Sequence, residues 1–335
     1  MDLLQRITAF ASLGNELRQL SPEKLASLGS DAQAENPWFT PDNVALSVQG
    51  ITYFLQKDKL TKWVMQYDFD HTIPKNIGVV MAGNIPLVGF HDFLCVLISG
   101  HSITAKLSSK DVVLMQYVTR QLIEIEPQFG QRILLTSEPL KKIDAVIATG
   151  SDNSARYFEY YFKKYPYIIR KNRTSVAILT GNETNEELIA LGKDVFSYFG
   201  LGCRNVSKLL VPESFDLARL LQCWEPYREV INHHKYANNY DYQKSIALVN
   251  KTPFLDTGFV LLFDNEGIVS PIATVYYQPY RTLPQLNELL EKHRNKIQCV
   301  VGMNTPAAVP FGKAQLPEVW EYADNVDTLQ FLKNL

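Results

Sequence analysis

Apolar residues recur at helical spacing from the first turn of the chain: Leu3, Ile7, Phe10 and Leu17 share a face, which Leu4 and Ala11 widen. Ser21-Pro22-Glu23 and Thr40-Pro41-Asp42 each read as a helix start, with a hydroxyl cap, proline in the first turn and an acid near the positive end. The second predicts a helix to about Gln56, and Lys59 to Tyr67 continues in the same style. Asn36-Pro37-Trp38-Phe39 forms an aromatic corner, and the whole region reads as packing and subunit contact.

From Pro74 the pattern changes to short apolar runs alternating with helical ones. Ile77 to Ala82, Ser102 to Leu107, Ile133 to Thr136 and Asp144 to Thr149 read as strands; Pro86 to Ile98, Asp111 to Ile125 and Ser154 to Lys164 read as helices. Such alternation predicts βαβ units and a mostly parallel sheet covered on both faces. A second α/β set follows, with strands at Val176 to Leu179, Lys208 to Val211, Ser245 to Asn250, Gly258 to Phe263, Ile272 to Gln278 and Gln298 to Gly302. Helices at Glu186 to Phe199, Ser214 to Leu221 and Leu283 to Lys292 separate them, and a short helix closes the chain. Two lobes with a cleft between them are the architecture this order predicts.

Composition narrows the class. A chain of 335 residues, 46% hydrophobic and 20% charged, is long enough for about two domains of an ordinary soluble protein. A net charge of -2 gives no electrostatic footprint for nucleic acid or an acidic membrane surface. Cys95, Cys203, Cys223 and Cys299 lie far apart with no C-x-x-C pair, which argues against a disulfide framework or a structural zinc and for a reducing cytoplasm. Asp2, Arg6, Glu16 and Arg18 interrupt the first twenty residues, so they do not read as a signal peptide. Ile77 to Gly100 holds Asn84, Pro86, His91 and Asp92 and reads as strand, turn and helix, not as a membrane span.

The candidate chemistry centres on Gly200-Leu201-Gly202-Cys203-Arg204-Asn205, where a helix pattern breaks just before a strand. A cysteine on a glycine break, with Arg204 beside it to favour thiolate, suits a nucleophile; a small buried hydrophobe is the alternative. Ligands of parallel sheets bind at the carboxyl ends of strands. Gly83-Asn84-Ile85-Pro86, Lys106-Leu107-Ser108-Ser109 and Thr149-Gly150-Ser151 stand at such ends, although a turn, a solvated lysine and a helix cap explain each singly. No G-x-G-x-x-G follows a strand. The run Arg170-Lys171-Asn172-Arg173 suits either phosphates or a solvated loop. Tyr157, Tyr198 and Phe199 suit either an apolar channel or the core, and His233-His234, as neighbours expected to point apart, make a poor metal pair.

In combination these segments resemble the aldehyde dehydrogenase superfamily, and most closely the fatty acyl-CoA reductases typified by the fatty acid reductase of bacterial luminescence. The resemblance runs from about Pro74 to Gln330. Ile77 to Pro86 is similar to the family's strand ending in asparagine and proline, and Ser99 to Ser108 to its strand ending in lysine, proline and serine, with Leu107 in place of the proline. Thr149-Gly150-Ser151 resembles its threonine-glycine-serine, and Cys203 stands at the nucleophile's position.

The resemblance implies an α/β fold of two three-layer lobes: a helical segment 1–73, a dinucleotide-binding lobe 74–172, a catalytic lobe 173–310, and a segment 311–335 returning to the cofactor lobe. It implies that Cys203 attacks an acyl thioester, such as an acyl-CoA, while Asn84 and the Cys203 N–H hold the oxyanion. NADPH or NADH would be held by Lys106, Ser108, Thr149, Gly150 and Ser151, with Ser109 able to assist. A homo-oligomer is expected by analogy alone.

The departures from the family point toward reduction. Its hydrolytic members carry a glutamate in a Glu-Leu-Gly-Gly-Lys run, where this chain has Arg170-Lys171-Asn172-Arg173-Thr174. A second glutamate is missing from Val269-Ser270-Pro271-Ile272, with Glu266 out of register, and Lys208 replaces a common arginine. Without a general base, water has no promoter for attack on the acyl-enzyme. Reduction of an acyl phosphate or an acyl-protein thioester, a cofactor-free cysteine acyltransferase, and a silent assembly partner are the alternatives.

Overall fold

Side-chain caps set the first helices. The Asp2 carboxylate accepts the Gln5 N–H at 2.7 Å and the Gln5 side chain accepts the Asp2 N–H at 2.8 Å, a reciprocal pair that opens α1 (Leu3–Arg18). Ser21 caps α2 (Pro22–Glu35) and Thr40 caps α3 (Pro41–Phe54), each with proline in the first turn; α4 (Lys57–Val64) follows. The computed structural model describes residues 1–69, 72–302 and 308–335. The chain forms two units, Met1–Asn172 with Pro317–Leu335, and Arg173–Leu316.

In the first unit come β1 (Asn76–Val80), α5 (Phe90–Ile98), β2 (Ser102–Lys106), α6 (Val112–Ile125), β3 (Ile133–Thr136), β4 (Ala145–Thr149), α7 (Asp152–Phe162) and β5 (Tyr167–Arg170). All five strands are parallel, in the order β3-β2-β1-β4-β5. Alternation along the strands gives the sheet two apolar faces. Ile77, Val79, Ile103, Ala105, Ala145 and Ile147 join the core built with α1, α3, α5 and α6, while Val146 and Ala148 turn to Phe158 and Phe162 of α7. Val80 pairs with Lys106 and Ala148, and Lys106 with Thr136, so the carboxyl ends of β1 to β4 share one rim.

The second unit holds β6 (Thr174–Ile178), α8 (Asn185–Phe196), β7 (Val206–Pro212), α9 (Leu217–Cys223), α10 (His234–Asn250), β8 (Leu255–Asp256), β9 (Leu261–Asp264), β10 (Thr274–Tyr280), α11 (Leu283–His293) and β11 (Ile297–Val301). Its sheet runs β11-β6-β7-β10-β9-β8, parallel except for β8. Ala177, Leu179, Leu209 and Val211 face Leu188, Leu191 and Trp224, whereas Ile178 and Leu210 face Leu286 of α11. Each unit is therefore a three-layer α/β sandwich. The final helix, α12 (Thr328–Lys333), belongs to the first unit.

Several expectations need correction. Ser245 to Asn250 is not a strand but the last turns of α10. Only Ala247 of that run is buried, and a short apolar stretch does not distinguish strand from helix by itself. Helix α5 starts at Phe90, not Pro86, because Leu87 takes a left-handed φ of 57° and gives its N–H to Asp111 at 2.7 Å. Helix α8 ends at Phe196, three residues before the expected Phe199. The return to the first unit comes at Pro317 rather than residue 311. The buried Asp194 carboxylate holds the intervening chain to the second unit by accepting the Gly312 and Ala314 N–H at 2.6 and 2.9 Å.

Arg170 is buried and ion-paired, not part of a solvated loop. It is 3% exposed, paired with Asp92 at 2.8 Å, and donates to the Ala323 carbonyl at 2.7 Å and the Thr328 hydroxyl at 2.8 Å. Lys171 pairs at the surface with Glu159. His233 and His234 do not point apart: their rings stack with centroids 5.2 Å apart. Among the described residues no helix is long and apolar enough to cross a membrane, and no group of three or more His, Cys, Asp or Glu is arranged to hold a metal.

Candidate active site

Four of the expected site segments lie on the two units as follows: Asn84, Lys106 with Ser108, and Thr149-Gly150-Ser151 on the first, Cys203 on the second. On the first unit they stand on the shared rim. The strand order changes direction of growth between β1 and β4, the place where ligands enter open parallel sheets.

Asn84 is exposed on a turn between buried Gly83 and half-buried Ile85. Three side chains from elsewhere in the unit fix that turn. Asn36 donates to the Gly83 carbonyl at 3.3 Å, Ser47 to the Pro86 carbonyl at 2.7 Å, and Asp111 accepts from Leu87. The aromatic corner that offered only packing thus supplies one of the supports, a role its sequence did not announce. Gly83 lies against the second strand end, since a Cβ there would fall 2.8 Å from the Ser108 Cβ. Lys106 Nζ donates to the Ser137 carbonyl just beyond β3.

At β4 the helix-cap reading holds. The Ser151 hydroxyl accepts the Ser154 N–H at 3.2 Å and so starts α7. Gly150 admits no side chain: a Cβ would lie 2.8 Å from the Ser154 Cβ and 2.9 Å from the Phe158 ring. Tyr157 of α7 is exposed, not part of a channel wall within its unit.

Asp111 carries a testable consequence. Burial pushes its carboxyl up to about 8, the Leu87 N–H pulls it back, and Glu35 adds to the rise. Its Oδ1 has no hydrogen-bond partner among the described residues. An unfolded aspartate titrates near pH 3.9, so the folded state keeps its proton longer than the unfolded one. The stability this contributes is complete below that value and falls as pH rises through about 8. Asp111→Asn keeps an acceptor for Leu87 and does not ionise. Its melting temperature is expected to gain on the wild type between pH 5 and pH 8.5; parallel curves would contradict this.

On the second unit the nucleophile candidate sits in a closed turn. Asn205 donates its backbone N–H to the Gly202 carbonyl at 3.0 Å, and its Oδ1 accepts the Gly202 N–H at 2.8 Å, leaving Cys203 next to the tip. Cys203 is partly exposed, not sealed in the core. Its carbonyl accepts from the Ser175 hydroxyl at 3.1 Å, and that hydroxyl lies 3.1 Å from the Cys299 sulfur. Arg204, expected to favour thiolate, gives its Nε to the Ala314 carbonyl. Lys208 is buried on β7 and donates to the Asn265 carbonyl; burial draws it down to about 8. Phe199 lines a recess with Tyr236, Pro271 and Ile272, while Tyr198 is buried.

No protein-family model and no curated protein sequence matches the chain. Solved structures do. An indole-3-acetaldehyde dehydrogenase of P. syringae, in complex with NAD+ and IAA, superposes with a TM-score of 0.68 at 13% identity, covering 94% of this chain and 75% of that one. Aldehyde dehydrogenase 21 of Physcomitrella patens, in complex with the product succinate, gives 0.70 at 12% identity over 100% and 84%. The lactaldehyde dehydrogenase of Escherichia coli gives 0.65 at 12% identity over 92% and 76%. The chain has the aldehyde dehydrogenase fold.

Proposed function

We propose that this protein is an NAD(P)H-dependent reductase of acyl thioesters, acyl-CoA first among them, which forms an aldehyde through an acyl-enzyme on Cys203. The observation that carries the reading is the closed turn presenting a partly exposed cysteine between α8 and β7, on a fold shared with aldehyde dehydrogenases. Structures of that fold in complex with NAD+ support the coarser part, an aldehyde-related nicotinamide oxidoreductase.

The first unit suits a dinucleotide. Its rim lies at the strand-order reversal, and the missing side chains of Gly83 and Gly150 let the loops there pack closely against Ser108 and against Ser154 and Phe158. Lys106 would hold the ribose or its 2′-phosphate, assisted by Ser108, while Thr149, Gly150 and Ser151 would meet the phosphates at the start of α7. When bound, the nicotinamide supplies the hydride that reduces the acyl group.

The chain's own residues perform the rest. The Cys203 sulfur attacks the thioester carbonyl carbon, a C–S bond to the enzyme forms, and coenzyme A leaves as its thiolate. The resemblance assigns stabilisation of the tetrahedral oxyanion to the Asn84 side-chain N–H and the Cys203 backbone N–H. Water attack on the acyl-enzyme would lack the glutamate base that the resemblance gives the hydrolytic members. By the resemblance Arg170 would stand where the hydrolytic members carry their glutamate, and it is held by Asp92, Ala323 and Thr328.

The test follows nicotinamide absorbance with acyl-CoA substrates. The expected result is cofactor oxidation matched by free coenzyme A and aldehyde. Oxidation of aldehyde to free acid without coenzyme A would contradict the reading. Asn84→Ala is expected to lower kcat on the order of a hundredfold with KM nearly unchanged. Full turnover in that variant would remove Asn84 from the oxyanion role.

A further inference from the structure

The segment between α8 and Cys203 is bent against its own preferences. Tyr198 and Phe199 adopt left-handed φ values of 52° and 56°, and Gly200 follows at 78°. Glycine takes that conformation freely, but two consecutive bulky aromatic residues do not, and such a bend persists only where its surroundings enforce it. One buried side chain spans the whole excursion. Asn205 is 2% exposed, and its Nδ2 reaches the carbonyls of Asp194 at 3.1 Å, Val195 at 3.3 Å and Ser197 at 2.8 Å. These acceptors close α8, whose last carbonyls have no partner within the helix. The same amide takes the Gly202 N–H on Oδ1 at 2.8 Å.

We propose that Asn205 is a positioning residue for Cys203: it ties the entry and exit of the strained bend together and so fixes the turn that aims the sulfur. The inference rests on Cys203 being the nucleophile. The side chain does not touch the reacting atoms. It hydrogen-bonds peptide groups on both sides of the bend, so that relaxing the left-handed pair and swinging the turn away would break those bonds. Ser175, holding the Cys203 carbonyl from β6, gives the turn its third anchor. Displacement of a reacting group by about an ångström costs on the order of a hundredfold in rate.

The experiment measures acyl transfer from an acyl-CoA to Cys203 by peptide mass spectrometry, alongside alkylation of the same thiol by iodoacetamide and thermal unfolding. Asn205→Ala is expected to slow acylation about a hundredfold while alkylation, which has no geometric demand beyond access, stays within about threefold. Asn205→Ala combined with Phe199→Gly is expected to regain at least about tenfold of the lost acylation, because glycine needs no support in the left-handed region. The double variant also serves if Asn205→Ala alone does not fold. Unchanged acylation in Asn205→Ala overturns the proposal, as does a parallel loss of acylation, alkylation and melting temperature that Phe199→Gly does not relieve. A wild-type protein whose reactive Cys203 accepts iodoacetamide but no acyl group removes the reductase reading, and this inference with it.

Discussion

Replacing Cys203 with alanine is expected to reduce aldehyde formation from acyl-CoA on the order of 10⁴-fold or more, while cofactor binding to the first unit persists. The size of the loss follows from the chemistry. A nucleophile that forms a covalent intermediate divides one difficult displacement into two easier ones, and no neighbouring group inherits its place. Cys299 is the natural substitute to consider, since Ser175 joins its sulfur to the Cys203 carbonyl. It belongs to β11, however, while Cys203 projects from the turn that Gly202 and Asn205 close. A Cys203→Ala enzyme that turns over at more than about a tenth of the wild-type rate would therefore exclude the acyl-enzyme route.

The second large effect concerns stability. Arg170→Ala is expected to destabilise the first unit by about 3–5 kcal/mol in denaturant unfolding. Asp92 on α5 is 8% exposed, and removing the guanidinium leaves its carboxylate buried without its counter-charge. The same guanidinium ties β5 to the Ala323 carbonyl and the Thr328 hydroxyl, so the loss also frees the start of α12 from the sheet. Replacing both partners, Asp92→Leu with Arg170→Met, is expected to recover most of the stability, because two matched apolar side chains leave no charge stranded. A change below about 1 kcal/mol in Arg170→Ala would show that the pair is not holding the unit together.

Local signals in the sequence carried much of this architecture. Ser21-Pro22 and Thr40-Pro41 start their helices where a capping hydroxyl and a proline demand it. The strands β1 to β4 emerge from short apolar runs bounded by polar turns, and β3 falls at Ile133–Thr136 as its pattern predicts. Pairings across long separations were hidden. Nothing local connects Arg170 to Asp92, 78 residues earlier, and a cluster of four basic and amide residues looks solvated until the fold supplies its partner. Asp194 sits within a helical pattern, and only the returning chain at Gly312 and Ala314 explains its burial. The Ser245–Asn250 run misleads for a different reason: β-branched and apolar residues on an exposed helix end imitate a strand, and periodicity over so few positions cannot separate them.

The candidate site divides in the same way. Asn84, Lys106, Thr149 and Cys203 stand out because they lie at glycine breaks and strand ends. The residues that hold those breaks in shape, Asn36, Ser47, Asp111, Ser175 and Asn205, carry no signature, since each acts on backbone groups brought near by folding. Asp111 alone has a weak signal, as an acid directly before α6.

Mass spectrometry of the protein after mixing with an acyl-CoA, with no nicotinamide present, tests the core of the account most directly. Without a hydride source the acyl group has nowhere further to go, so the peptide bearing Cys203 should gain the mass of one acyl group, released by hydroxylamine and absent from Cys203→Ala. An unmodified Cys203 peptide, or an acyl group carried on any other residue, would contradict it.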